Sequence, residues 1–420
     1  MRFIKLSSLA FIGCGFMVLK KDVIIIGGGA SGLMCAVSAK LKNKNISVAI
    51  IEKNERIGKK LLSTGNGRCN LTNKYISTDK YSGSFVNQSK YIFEKYDTKF
   101  ILDVFNKLGL LTFCDSEGRY YPICKQASAV LDVLRFACER LGVEIFCAEN
   151  IKSVRKSKNG FSVITDNNEF ASKKLVISNG SKASPKLGGN GSAADYLKNF
   201  GHNFKPFSPV LCPVKVKSDV LKSLKGIRVT GNATLYDKNK KIKSEKGEIQ
   251  FAENALSGIC IFNLSLYTKK DSIISLDLLP NYSIEELYSL IYKNIKLLGN
   301  MEIDNLFTGI FQKRLGQAIL KVSDIKDFSR KCSALDKTEI NRIVNNIKNM
   351  SFSVIDNSGF DQAQCASGGV LGKEIDEKTM QSRLVNNLFI CGEAIDICGE
   401  CGGFNLHFAF ASGYLAGENL

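Results

Sequence analysis

Asp22-Val23-Ile24-Ile25-Ile26-Gly27-Gly28-Gly29-Ala30-Ser31-Gly32 is the stretch on which the fold turns, and Glu52 is the residue that completes its meaning. Asp22 to Ile26 is a short β-branched run of the kind that forms a buried strand. Ala30 to Leu41 is rich in Ala, Ser, Leu and Val at helical spacing, and Ser47 to Ile51 is a second apolar run. Strand, glycine turn, helix and strand in that order make a βαβ unit. Gly27 to Gly32 satisfies G-x-G-x-x-G in the context that motif requires, after a strand and at a helix start. Gly27 permits the tight turn, Gly29 admits a pyrophosphate to the backbone, and Gly32 allows close packing of helix on strand. Ala30 and Ser31 supply the first amides of a helix whose N-terminus favours an anion. Glu52, twenty positions beyond Gly32, fits the acid that binds adenosine ribose hydroxyls.

Such a unit takes either NAD or FAD, and the segment behind Glu52 bears on the choice. Gly58-Lys59-Lys60-Leu61 and then Ser63 to Asn73 form a second loop of glycines and small polar residues with Lys and Arg. It suits a pyrophosphate and the edge of a flavin.

Farther out the α/β texture continues to about residue 195, with a helix at Ala127 to Leu141 and strands at Val143 to Phe146, Phe161 to Thr165 and Lys174 to Ser178. Past Pro206, Pro209 and Pro213 the pattern becomes alternating strands with Lys- and Asn-rich turns. Helical patterns follow at Glu285 to Leu298, Asn305 to Lys321 and Lys337 to Asn349. The α/β texture returns near Phe360, with a strand at Asn387 to Cys391 and a last helix near Leu406 to Leu420. The expected architecture is a discontinuous α/β domain of Rossmann type, residues 20–196 and 351–420. A β-rich insert at 197–280 and a small helical module at 281–350 interrupt it.

The chain of 420 residues is 44 % hydrophobic and 23 % charged, a globular composition that excludes disorder and coiled coil. Its formal charge of +18 invites a nucleic-acid reading. Lysine is spread along the whole chain, however, and the denser stretch from Lys215 to Lys246 is read first as a solvated face. Fourteen cysteines among apolar neighbours, such as Cys35, Cys138 and Cys260, suit buried reduced thiols and a cytoplasmic setting. Arg2, Lys5 and the apolar run Leu6 to Leu19 imitate a signal peptide but are too short to span a bilayer. Met17 is the expected natural start.

Several ordered blocks carry a family resemblance. They are Gly65-Asn66-Gly67-Arg68-Cys69-Asn70-Leu71-Thr72-Asn73, Gly118 to Pro122, Gly247-Glu248 to Gly258, Gln364 to Val370, Cys391 to Asp396, and Gly402 to Leu406. From about Asp22 to its C-terminus the chain resembles the BaiN/YhiN-like group of FAD-dependent oxidoreductases, also called the aminoacetone oxidase family. The resemblance implies a β-barrel-like insert and FAD as cofactor. It extends the cofactor contacts to Lys53, Lys60, Gly65, Gly67, Arg68, Cys69 and Asn70, with Ile151 near adenine and Gly180 in the turn Ser178-Asn179-Gly180-Ser181. Gly392, Glu393, Gly402, Gly403, Phe404, Asn405 and Leu406 are implied along the ribityl chain and isoalloxazine. The helix after Gly403 would then offer its amides to the negative charge of a reduced flavin.

The implied activity is hydride transfer between flavin N5 and a small organic substrate, an enone or an amine. There is no second G-x-G-x-x-G, so NADH or NADPH, if it is the reductant, is expected to bind transiently at the substrate face. Two other readings stand beside this one: a basic flavoprotein acting on tRNA, and a noncatalytic sensor that reads flavin state through Cys398 and Cys401.

His407 stands where the family commonly has Gln; it is first read as a packing residue, with an acid or base role near the flavin as the alternative. Cys398-Gly399-Glu400-Cys401 is a C-x-x-C that is first read as incidental thiols. A zinc site would have to recruit Cys391 and His407 as well, and no metal is expected. His202 is expected to be structural.

Overall fold

The computed structural model describes residues 18–420. The expectations about residues 1–16 and Met17 lie outside it. The βαβ unit forms as the sequence dictates: strand Val18–Ile26, helix Ala30–Lys42 and strand Val48–Ile51. Val23 to Ile26 are all buried, as are Val48 to Ile51, because both faces of this parallel sheet are covered.

The sheet runs in the order Glu144–Phe146, Val48–Ile51, Val18–Ile26, Glu169–Ile177, Gly160–Thr165 and Ile151–Ser157. The strand Glu169–Ile177 is its organiser. Its first half pairs antiparallel with Gly160–Thr165, and its second half pairs in parallel with Leu388–Ile390. Leu388–Ile390 therefore returns from far along the chain to complete the sheet.

The last helix, Phe404–Glu418, is apolar on every side and packs along the helix Ala30–Lys42. Small residues set the distance: a Cβ on Gly413 would stand 2.3 Å from the Ser31 carbonyl oxygen. A helix without a polar face has no stable place outside a core.

The insert is a closed barrel of six strands, in the order Val214–Lys217, Ala255–Ser257, Lys240–Phe251, Arg228–Asp237, Ile273–Asp277 and Met350–Asn357. Alternation explains it. Val214 and Val216 point inward while Lys215 and Lys217 are exposed, and Ala233 and Leu235 repeat the pattern.

The expected divisions at 197–280, 281–350 and 351–420 do not coincide with this pairing. Phe204–Val210 pairs with Cys365–Val370 outside the barrel, whereas Met350–Asn357 closes the barrel by pairing with Val214–Lys217 and Ile273–Asp277. Nor are the barrel and the helices separate units. Leu287 and Ile291 of helix Ile284–Leu297, and Ile343 and Ile347 of helix Lys337–Lys348, join Leu235, Ile274 and Phe352 in one core. Capping boxes start both helices, Ser283 with Glu286 and Asp336 with Glu339. Of the helix expected at Asn305 to Lys321, only Lys313–Val322 forms, after a short turn at Ile303–Asn305.

Candidate functional site

Where the sheet's strands end, the glycine turn, the loop behind Glu52, the start of the last helix and one wall of the barrel enclose a single cleft of about 1390 Å³. Pockets for one small ligand span roughly 300–1,000 Å³. The cleft therefore has room for a dinucleotide and a second molecule.

The expected cofactor residues Gly27, Gly29, Ala30, Ser31, Glu52 and Lys53 line it. So do Lys60, Gly65, Arg68, Asn70, Ile151, Gly180 and Glu393, and Gly402 to Leu406. No side chain caps the helix Ala30–Lys42 and its first turn holds no acid, which leaves its amides to an anion. A Cβ on Gly29 would meet nothing within 4 Å, so this position opens on the cleft.

Glu52 is buried and already engaged. One oxygen accepts from the Gly28 amide at 2.9 Å, and the other accepts from the Asn54 backbone and side-chain amides at 2.9 and 2.7 Å. Beside it, burial pulls the pKa of Lys53 below the usual lysine value, with Glu52 opposing.

Lys60 and Glu393, separate expectations in the sequence, form an ion pair at 2.6 Å across the cleft. Burial opposes the charge on Lys60, but Glu393 outweighs it and raises the lysine pKa. Arg68 stacks over the Tyr121 ring at 5.2 Å. Asn70 Oδ1 is buried on the cleft with no hydrogen-bond partner. An orphaned acceptor of this kind is costly unless a ligand satisfies it, and FAD fits that demand.

Four expected contacts do not reach the cleft. Gly32, Gly67, Cys69 and Gly392 stand outside its lining. Gly32 acts from behind, since a Cβ there would stand 2.0 Å from the Gly27 carbonyl oxygen. Cys69 is fully buried, and burial pushes its pKa up to about 12. The Gly392 amide donates to Ser412 Oγ at 3.0 Å, inside the fold. Asn405 lines the cleft but spends its side chain on Gly399, accepting from the amide at 2.9 Å and donating to the carbonyl at 2.7 Å.

His407 is likewise placed behind the cradle. It is 0 % exposed, its Nδ1 lies 2.8 Å from Thr72 Oγ1, and its ring packs near Phe93. Burial pushes its pKa down to about 3, against only a backbone contact from Tyr96. The residue is neutral and walled off, so the acid or base role suggested by its place in the sequence has no access to the cleft.

Cys398 packs with Cys365, Val210 and Leu211, while Cys401 packs against that group and lines the cleft. All three are free thiols. His202 is structural: Nδ1 meets Glu374 at 2.9 Å and Nε2 meets Ser382 at 2.9 Å. This Ser-His-Glu line resembles a hydrolytic triad. It is buried, however, and Ser382 Oγ already accepts from the amides of Leu384 and Val385.

What the sequence did not reveal is the barrel wall. Arg228, Glu245, Lys246, Glu248 and Gln250 of the barrel strands, with Cys260, Phe262 and Asn263 of the helix Ile259–Leu264 packed on them, all line the cleft. The signal that could have found them is the block from Gly247-Glu248 to Gly258. The basic stretch Lys215 to Lys246 divides accordingly. Lys238, Lys240 and Lys241 are exposed at a hairpin turn, whereas Arg228 and Lys246 face the cleft.

The HI0933-like protein Rossmann domain matches residues 21–419. The chain belongs to this family. It is 32 % identical, over 94 % of its length and 97 % of the relative's, to the 3-dehydro-bile acid delta(4,6)-reductase of Clostridium scindens. It is 26 % identical, over 95 % of its length and 98 % of the relative's, to the ribosomal RNA dihydrouridine synthase of Escherichia coli. Among solved structures, a flavocytochrome c3 fumarate reductase aligns at 13 % identity and TM-score 0.50, over 96 % of this chain and 78 % of its own. The 3-ketosteroid delta1-dehydrogenase of Sterolibacterium denitrificans aligns at 12 % identity and TM-score 0.50, over 95 % of this chain and 98 % of its own. These two share the fold. The chain is an FAD-dependent oxidoreductase of Rossmann type, similar to BaiN. Among the described residues no helix is long and apolar enough to cross a membrane.

Proposed function

We propose that the chain saturates a carbon–carbon double bond conjugated to a carbonyl, using FAD held in the cleft and NADH or NADPH as a transient reductant. The observation that carries this reading is one cleft of about 1390 Å³ with a dinucleotide cradle on one side and the barrel wall on the other. FAD would be held by Gly27 to Ser31 and Glu52 toward its adenosine. Lys60, Arg68, Asn70 and Gly402 to Leu406 would hold it toward its flavin. When bound it supplies the two-electron hydride chemistry that side chains lack.

The names of two relatives support the same bond change. One reduces double bonds of a bile acid, and the other makes dihydrouridine, a uracil ring saturated next to a carbonyl. The barrel wall supplies what such a substrate needs from protein. Arg228, whose guanidinium spends one N–H on Glu248 and keeps others, is a hydrogen-bond donor for a carbonyl, and a donor there draws electron density from the double bond. The proton that must join the α carbon comes from solvent in the open cleft. Cys260 does not supply it: it is buried in the barrel core, its Sγ donates to the Glu248 carbonyl at 3.2 Å, and burial pushes its pKa up to about 11.

The first reading takes a steroid-like enone as substrate. A second, uracil presented by an RNA, is favoured by a specific observation: the barrel wall is polar and ionic, with Arg228, Glu245, Lys246, Glu248, Gln250 and Asn263, on a chain of charge +18.

Anaerobic spectra of the FAD-loaded protein separate these cases. Bleaching by NADH or NADPH followed by reoxidation with a 3-oxo-4-ene steroid supports the first reading. Reoxidation only by unmodified ribosomal RNA transcripts moves the conclusion to the second. A flavin that is reduced by nicotinamide but indifferent to both acceptors refutes the double-bond chemistry, and failure to take up FAD refutes the cradle.

A further inference from the structure

The barrel touches the cofactor half through a cluster of charges that the sequence separates widely. Lys243, on the barrel strand Lys240–Phe251, forms an ion pair with Glu400 and a second with Glu245 at 3.3 Å. Its Nζ also lies 5.2 Å from the Tyr267 ring centroid. Glu400 is 6 % exposed, and its other oxygen lies 3.9 Å from Lys80 Nζ. Two bonds through Asn263 complete the connection. Its Nδ2 donates to Glu245 at 2.9 Å, and its Oδ1 accepts from the Cys401 amide at 2.8 Å.

Glu400 and Cys401 lead directly into Gly402 to Leu406, the start of the last helix. Burial opposes the charge on Lys243, but Glu400 outweighs it and raises the lysine pKa. Lys243 faces Glu400 and Glu245, while Lys80 is shared between Glu400 and, at 3.7 Å, the exposed Asp79, so Lys243 is the main cation on the buried Glu400. A buried carboxylate that loses its cation is an uncompensated charge.

We propose that Lys243 is a positioning residue: through Glu400 it holds the barrel against the segment entering the last helix and offsets the buried Glu400 charge at that end of the cleft. The inference rests on the proposed FAD reading, because the charge it balances lies beside the residues assigned to the flavin. A reduced flavin is anionic, and protein charge near its ring tunes its electronics. Removing the lysine charge therefore disfavours reduction. Removing the Glu400 charge as well restores balance.

The test is the midpoint potential of FAD bound to the full chain, measured anaerobically against a reference dye of known potential. Lys243→Met is expected to lower the ratio of reduced to oxidised flavin at least tenfold at a fixed dye ratio, about 30 mV for a two-electron couple. Lys243→Arg is expected to hold the wild-type value, and Lys243→Met combined with Glu400→Gln to return toward it.

A purely mechanical role would leave the double variant no better than the single one, which overturns the proposal. So would an unchanged potential in Lys243→Met. If Lys243→Met does not fold, Glu400→Gln alone decides, since it must raise the potential. Wild-type protein that binds no FAD defeats the cofactor reading. Wild-type protein with FAD and insensitive variants defeats only the role given to Lys243.

Discussion

Lowering the pH should weaken the fold through one residue, His407, by an amount the structure sets. Its ordinary pKa of 6.5 falls to about 3 in the folded chain because burial disfavours the imidazolium. Between those two values the unfolded chain binds a proton that the folded chain refuses. The stabilisation is complete above about pH 6.5 and is lost as pH falls through the window, levelling off below about 3. Each unit is worth about 1.4 kcal/mol, so the loss from pH 7 to pH 5 comes to about 2 kcal/mol from this site.

His202 also titrates low, chiefly by burial, so the wild-type slope alone does not isolate the effect. His407→Gln does, since Gln can keep a hydrogen bond to Thr72 Oγ1 without titrating. Urea unfolding of both proteins at pH 7 and pH 5 gives the difference of differences. The variant should lose about 2 kcal/mol less than wild type over that interval. Parallel pH dependences would refute the burial argument and imply that this histidine is protonated or solvated in the fold.

The glycine turn offers a paired test. Gly29→Ala should change thermal stability little, because no atom lies within 4 Å of its new Cβ, yet weaken FAD binding. Gly32→Ala should destabilise the fold itself, because its Cβ would sit 2.0 Å from the Gly27 carbonyl oxygen. Thermal unfolding alongside flavin content separates the two, and equal melting temperatures would contradict the packing. Glu52→Gln removes the charge from a carboxylate holding the Gly28 and Asn54 amides. FAD titration of the apoprotein should show affinity reduced about ten- to hundredfold, as for a charge-assisted bond. An unchanged dissociation constant would remove Glu52 from the adenosine end.

The cradle was legible in the sequence because it is local. Strand, turn, helix and acid lie within about thirty residues, and each leaves its own periodicity or glycine signal. The barrel's alternation was legible too, but not its closure. Val214–Lys217 pairs with Met350–Asn357 across more than 130 positions, and no period-two pattern names its partner. The cleft's second wall followed from that closure, and so stayed hidden.

His407 shows why the packing reading outranked the catalytic one. Two residues from Asn405 in sequence is half a turn on a helix, which carried the ring away from the cleft and against Thr72 and Phe93. Asn405 itself lines the cleft but spends its side chain on Gly399.

The return of Leu388–Ile390 to the strand Glu169–Ile177 has a consequence for synthesis. A ribosome delivers the glycine turn more than 350 residues before the last strand of its sheet and the helix packed on it. The nascent chain thus carries half a cradle while the barrel is made, with the barrel complete before its host domain. Cofactor loading has to wait for the strand Leu388–Ile390 and the helix Phe404–Glu418. A truncation that removes the helix Phe404–Glu418 therefore leaves the glycine turn with half its cradle.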